Sequence, residues 1–320
     1  MSVRIINADV FAGLSQLEDE SVQCCVTSPP YFSLRDYGMP GQIGLENTPD
    51  EFVAKLVAVF REVRRVLSKD GVLFVNLGDS YAGHNLPGWR PGNEEKNKGA
   101  SNKNGVGYVA GMKPKDLIGI PWMTAFALRA DGWYLRQEII WAKPNPMPES
   151  VKDRCTKSHE HIFLLSKSAR YYYDIDAIKE PSDPANGRDT STARRNPPPG
   201  SSPDRGFVNG RRFSDRNKRS VWTISTQPYT EAHFATFPQE LPETCIKAGS
   251  RIGDTILDPF GGAGTTGLVG DKLGRNAVLI ELNPEYAAMA EKRIFTSAPL
   301  FAEVTASNSE QMTLLESDRK

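Results

Sequence analysis

The chain is 320 residues long and balances 39 Lys plus Arg against 39 Asp plus Glu, so its formal charge is zero and no whole-molecule basic field draws it to nucleic acid. That length supports one large domain with insertions and a core that needs no staples, and the four cysteines (Cys24, Cys25, Cys155, Cys245) show no C-x-x-C spacing. No run approaches the roughly 20 apolar residues of a membrane helix and no basic-then-apolar segment opens the sequence, so a reduced, cytoplasmic protein is expected.

Short apolar, β-rich runs alternate with helical periods, which predicts an α/β sheet covered on both faces. In chain order, strands are expected over 4–7, 22–27, 72–77, 134–141, 161–166, 254–257 and 277–282. The clearest helix covers 49–67, where Thr48 caps, Pro49 opens the first turn and Glu51 completes a capping box. Phe52, Leu56, Val59, Phe60, Val63 and Leu67 supply its buried stripe, and Gly71 follows its end. A second helix is expected over 117–130, and a last one follows the cap-and-first-turn pair Asn283-Pro284. His159 and His161 flank Glu160 in an alternating stretch. They read as one face of a strand rather than as metal ligands, and no metal is expected.

Three stretches break this rhythm. Residues 82–115 are rich in Gly, Asn and Lys with Trp89, Arg90 and Tyr108 embedded, as a long functional loop would be. Residues 180–220 hold six prolines and nine Lys or Arg against five acids. They suit either a solvated linker or a segment that meets a phosphate backbone through Arg194, Arg195, Arg211, Arg212, Arg216, Lys218 and Arg219. Residues 297–320 read as a flexible tail.

Two loops carry the chemistry. Near the start, the strand ending Val26-Thr27 delivers Ser28-Pro29-Pro30-Tyr31 at its carboxyl edge, the rim where open α/β sheets place ligands. Two consecutive prolines fix φ and remove two donors, leaving rigid carbonyl acceptors. The Ser28 hydroxyl and the Pro29 carbonyl suit the two hydrogens of an exocyclic amine, and Tyr31 offers a ring for stacking. Near the end, a strand runs into Asp258-Pro259-Phe260-Gly261-Gly262-Ala263-Gly264-Thr265-Thr266 and a helix that should stop before Gly274. Gly262, Gly264 and Gly267 satisfy G-x-G-x-x-G, with Glu281 ending the next strand where a ribose-binding acid sits. Alone, that pattern also suits a nicotinamide dehydrogenase or a structural turn, although Asp258 would repel a dinucleotide's phosphates.

The first loop resembles the catalytic loop of DNA amino-methyltransferases, and the D-P-F-x-G-x-G-T-T form of the second resembles their S-adenosyl-L-methionine (AdoMet) loop. Catalytic loop first resembles the beta arrangement of that family. The resemblance covers most of 1–180 and 230–295, including Asn76-Leu77-Gly78-Asp79, Trp141-Ala142-Lys143-Pro144-Asn145 and Gly274-Arg275. It implies a seven-stranded, mostly parallel, Rossmann-like methyltransferase sheet with one reversed strand. The catalytic domain would cover 1–180 and 229–296, with a target-recognition region at 181–228.

For the cofactor, the resemblance implies that Phe260 and Gly262 to Gly264 wrap the methionine part, with Thr27, Asp258, Gly261, Thr265 and Thr266 also in the cofactor site. Glu281 would hold the ribose hydroxyls, Asp9 would accept from the adenine amino group, Asn283 would also belong to the cofactor site, and Phe234, Thr236 and Phe237 would close over the methionine end. The implied substrate is double-stranded DNA in a prokaryotic or phage host, with a restriction endonuclease as possible partner; monomer and homodimer both remain open. A serine at the first loop position, in place of aspartate, resembles the cytosine-N4 enzymes more than the adenine-N6 ones. A cytosine-C5 enzyme needs a thiolate after proline, and no Pro-Cys exists here. An RNA methyltransferase and a nucleic-acid-binding protein with a non-catalytic cofactor fold are the other readings.

Overall fold

The computed structural model describes residues 1–83, 109, 112–181, 215–227, 237–297 and, for the backbone path, 303–308. The strands are β1 (Ser2–Asn7), β2 (Val22–Thr27), β3 (Leu67–Leu77), β4 (Tyr134–Ala142), β5 (His159–Ser166), β6 (Glu180–Pro181), β7 (Asp215–Arg216), β8 (Val221–Thr223), β9 (Thr255–Asp258), β10 (Asn276–Glu281) and β11 (Glu303–Asn308). The helices are α1 (Val10–Leu14), α2 (Pro49–Val66), α3 (Ile120–Ala130), α4 (Glu240–Gly249), α5 (Thr265–Lys272) and α6 (Pro284–Ser297).

The main sheet runs in the order β11-β1-β10-β9-β2-β3-β5-β4-β8. All seven expected strands are present and contiguous at its centre. Nine strands stand where seven were expected, because β8 and β11 extend the two edges. Each lies in a stretch read as non-sheet. β8 joins part of the 181–228 region to the fold, with Trp222 and Ile224 buried in the core, and β11 pairs in parallel with β1 where a tail was expected. Both are short or polar in sequence; each pairs with an existing sheet edge, and β8 is anchored further by the buried Trp222 and Ile224. The one expected reversal is β5, antiparallel to both β3 and β4.

Alternation along β2 sends Cys25 to one face and Cys24 and Val26 to the other. The Cys25 face packs against α1, α2 and α3, and the Cys24 face against α4 and α5. Burial pushes both thiols up, as expected of core residues. Phe52, Leu56 and Phe60 of α2 are fully buried, worth about 1.5–3 kcal/mol each. Thr48 accepts from the Glu51 backbone N–H at 3.2 Å, and the Glu51 side chain reaches back to Asn47 N at 3.1 Å. Helix α3 starts at Ile120 rather than 117, because Leu117 bridges to Tyr81 and the Asp79 carboxylate caps the amides of Gly119 and Ile120. The loop residues Trp89, Arg90 and Tyr108 lie outside the described residues.

Candidate active site

The carboxyl edges of β1, β2, β3, β9 and β10 open on one cavity of about 990 Å³. Both loops read from the sequence line it: Ser28, Pro29, Pro30 and Tyr31 on one side, and Phe260, Gly261, Gly262 and Thr265 on the other, with Asp9, Phe237, Glu281 and Asn283 around them. Loops more than 200 residues apart therefore share one chamber. Phe234 and Thr236 lie outside the described residues.

The glycine turn is organised by an acid. Gly262 N donates to Glu281 Oε2 and Asn283 N to Glu281 Oε1, both at 2.8 Å, and burial raises the Glu281 carboxyl above its usual range. Gly261 N donates to Ile280 O and Gly264 N to Gly261 O, each at 2.8 Å. Three of the loop amides are thus consumed internally, whereas a pyrophosphate cradle needs them free. Gly262 and Gly264 have φ of +49° and +76°, and a Cβ on Gly264 would lie 2.8 Å from Ala290 Cβ of α6, so glycine is required for both backbone and packing. Asp9 caps α1 through Oδ1, accepting from Phe11 N at 2.9 Å, and still lines the cavity. Asn283 caps α6 by accepting from Glu285 N at 2.9 Å. A cavity with Asp9 and Glu281 beside a glycine turn whose Gly261, Gly262 and Gly264 amides are already engaged suits a cationic ligand such as AdoMet. In such a complex Glu281 and Asp9 would hold the nucleoside and Phe260 to Gly264 the amino-acid part.

Asp258 also lines the cavity, with its carboxylate almost fully engaged by the protein. It is 2% exposed, and its oxygens accept from Thr27 Oγ1 (2.7 Å), Thr266 Oγ1 (2.7 Å) and Phe260 N (3.1 Å). The carboxylate therefore ties the end of β2 to α5, and Thr27 and Thr266 are buried with it. Burial pushes the Asp258 carboxyl from 3.8 up to about 7. The fold then favours the protonated form, so this contribution is fully present below about pH 4 and is lost as pH rises through about 7. The stability of wild type relative to Asp258→Asn should fall across that window, by up to roughly 4 kcal/mol. Thermal unfolding of both proteins from pH 4 to 8 checks this; parallel curves would contradict it.

A cluster on the other side of the cavity escaped the sequence reading. Because β5 is reversed, its first residues sit at the rim: Ile162 pairs with Asn76 of β3 and Glu160 with Trp141 of β4. There Glu160 Oε2 accepts from the Tyr31 hydroxyl at 2.6 Å and from Asn76 Nδ2 at 2.7 Å, while Lys143 Nζ binds Glu160 Oε1. Burial would raise the Glu160 carboxyl, but the Lys143 ammonium and the hydrogen bonds from Lys143, Tyr31 and Asn76 hold it below the usual range. The Tyr31 ring lies against Gly78, where an added Cβ would come within 2.5 Å of Cε2. A sequence signal did exist, a lone acid at the start of an apolar strand, but its neighbours drew it into the metal question. His161 instead pairs with Glu138 at 2.7 Å.

Of the expected DNA-contacting residues, Arg216 and Arg219 converge on Glu180 Oε1 at 2.8 and 2.6 Å, and the Lys218 ammonium lies 5.5 Å from the Trp222 ring centre. The local positive excess is partly compensated within the fold. Arg194, Arg195, Arg211 and Arg212 lie outside the described residues. No described helix is long and apolar enough to cross a membrane.

The model of a DNA methylase family, covering N6 and N4 enzymes, matches residues 22–292. The Type II methyltransferase M.SmaI of Serratia marcescens is 48% identical over 294 residues, spanning 92% of this chain and 91% of that protein. M.Cfr9I of Citrobacter freundii is 47% identical, spanning 91% and 87%. Among solved structures, PvuII DNA methyltransferase (cytosine-N4-specific) superposes with a TM-score of 0.62 at 19% identity over 93% of this chain and 92% of its own. A putative DNA modification methylase of Thermus thermophilus, complexed with S-adenosyl-L-methionine, gives 0.60 at 24% identity over 95% and 98%.

Proposed function

The chain belongs to the N6/N4 DNA methylase family of AdoMet-dependent DNA amino-methyltransferases, and from that premise we propose that it methylates the exocyclic N4 amine of a cytosine within a specific duplex sequence. Relatives that are Type II methyltransferases support a site-specific duplex substrate and a cognate restriction endonuclease as partner. The observation that carries the choice of base is Ser28: the loop position nearest the catalytic prolines holds a neutral hydroxyl, as the resemblance to cytosine-N4 enzymes implies. The cytosine-N4 specificity of PvuII methyltransferase points the same way.

When bound, AdoMet supplies an electrophilic sulfonium methyl group. The chain's own task is to present the amine to it. The lone pair of the cytosine amine is delocalised into the ring; acceptors on its two hydrogens favour a pyramidal nitrogen with a localised lone pair. Ser28 Oγ and the Pro29 carbonyl are those acceptors, and Tyr31 provides a ring face. Holding amine and methyl in line is worth roughly 7–11 kcal/mol in well-aligned cases. The paired base has to leave the duplex stack to reach the cavity, at a cost of about a few kcal/mol. Ser28 is no strong base, so the product's extra proton leaves to solvent.

The purified protein, given methyl-labelled AdoMet with duplex DNA and RNA in competition, should label the DNA. Label on RNA alone, or on neither at saturating AdoMet, would overturn this reading.

A further inference from the structure

The hydrogen bonds behind the catalytic loop have a direction as well as a geometry. Lys143 donates to Glu160 Oε1, the Tyr31 hydroxyl donates to Glu160 Oε2, and Ser28 Oγ lies 3.5 Å from the Tyr31 oxygen as its donor. Asn76 Nδ2 also donates to Glu160, at 2.7 Å, and Asn76 Oδ1 is buried without a partner among the described residues. An ionised carboxylate only accepts, so the Tyr31 proton is committed to it. The Tyr31 oxygen thus only accepts from its remaining neighbours, Asn76 Nδ2 at 3.1 Å, the Gly78 backbone N–H and Ser28 Oγ; with its proton directed to Tyr31 and Asn76 Nδ2 donating to it at 3.4 Å, Ser28 Oγ keeps a lone pair for the cavity. Contacts of this kind are commonly long before substrate arrives and tighten in the complex.

We propose that Glu160 is a positioning residue which, through Tyr31, sets the polarity of the Ser28 hydroxyl so that it meets the target amine as an acceptor. This rests on the proposed amine-methylating function. Glu160 itself touches neither base nor cofactor in this mechanism. Its charge, fixed by the Lys143 ion pair, dictates which way the two hydroxyls point.

Glu160→Gln is the reversing substitution. The Lys143 ammonium requires an oxygen, so the amide oxygen turns to Lys143 and the NH₂ faces Tyr31 and Asn76. The Tyr31 proton is then pushed toward Ser28 and the Ser28 proton toward the amine. We expect kcat on duplex DNA to fall about 100-fold, on the scale of losing one transition-state hydrogen-bonding group, with AdoMet affinity unchanged by calorimetry. Tyr31→Phe breaks the string, so in that background Glu160→Gln should cost less than about threefold. Removing the ammonium as well, in Glu160→Gln/Lys143→Met, frees the amide oxygen to face Tyr31 again and should restore kcat to within about tenfold of wild type. If Glu160→Gln alone does not fold, this charge-neutral double variant decides the matter. Losses that multiply in the Tyr31→Phe background, no recovery in the double variant, or AdoMet affinity falling in step with kcat would overturn the assignment. A wild type that transfers no methyl to duplex DNA overturns the proposed function and this inference together, whereas an active wild type with multiplicative losses overturns only the inference.

Discussion

Replacing Ser28 and Tyr31 together by alanine is expected to lower methyl transfer to DNA by at least about 10³-fold, while leaving AdoMet affinity within about threefold. Both side chains belong to the loop that follows β2, and both are held from the side of β3 and β5: Tyr31 by Glu160 and by contact with Gly78, Ser28 by Asn76 Nδ2 at 3.4 Å. None of those contacts reaches the glycine turn, which is held by Glu281 and the β10 backbone. The loss should therefore fall on the step that uses the amine. Single-turnover transfer of labelled methyl and calorimetry on the same protein read the two quantities separately. Equal labelling by the double variant would mean that the amine is held elsewhere.

Glu281→Ala should produce the complementary defect, a loss of AdoMet affinity of about 100-fold, or roughly 2.7 kcal/mol. Its carboxylate accepts from Gly262 N and Asn283 N, so truncation leaves two amides unmet, frees the glycine turn and removes the proposed ribose acceptor in one change. Glu281→Gln keeps a single oxygen and should fall between wild type and alanine. Cooperative thermal unfolding of the variants, beside calorimetric titration, separates loss of the site from loss of the fold. An affinity equal to wild type would contradict the assignment of Glu281 to the cofactor.

The two loops were legible because their local chemistry is decisive. Consecutive prolines impose one backbone at Pro29 and Pro30, and Gly262 and Gly264 take conformations that other residues resist, so each loop announces itself from a few adjacent positions. The central strands and α2 were legible for a related reason, since alternation and the helical period report which face is buried. What could not be read depends on distant partners. Glu160 meets Tyr31 across 129 positions and Asn76 across 84, and only the reversal of β5 brings its first residues to the rim. Nor does sequence reveal that the Asp258 carboxylate, at the cavity, is also the acceptor for the buried hydroxyls of Thr27 and Thr266. β8 and β11 had too little apolar pattern to register; each pairs with a strand distant in sequence, and the burial of Trp222 and Ile224 depends on that pairing.

The proposed chemistry centres on one atom, the cytosine N4 presented by Ser28 and Pro29. Mass spectrometry of nucleosides, released from the DNA of a host expressing this chain, tests it most directly, since N4-methylcytosine and N6-methyladenine separate cleanly. The prediction is N4-methyldeoxycytidine above the background of the empty host, abolished by the Ser28→Ala/Tyr31→Ala variant. N6-methyldeoxyadenosine in its place, or no new methylated nucleoside from a soluble, AdoMet-binding protein, would contradict it.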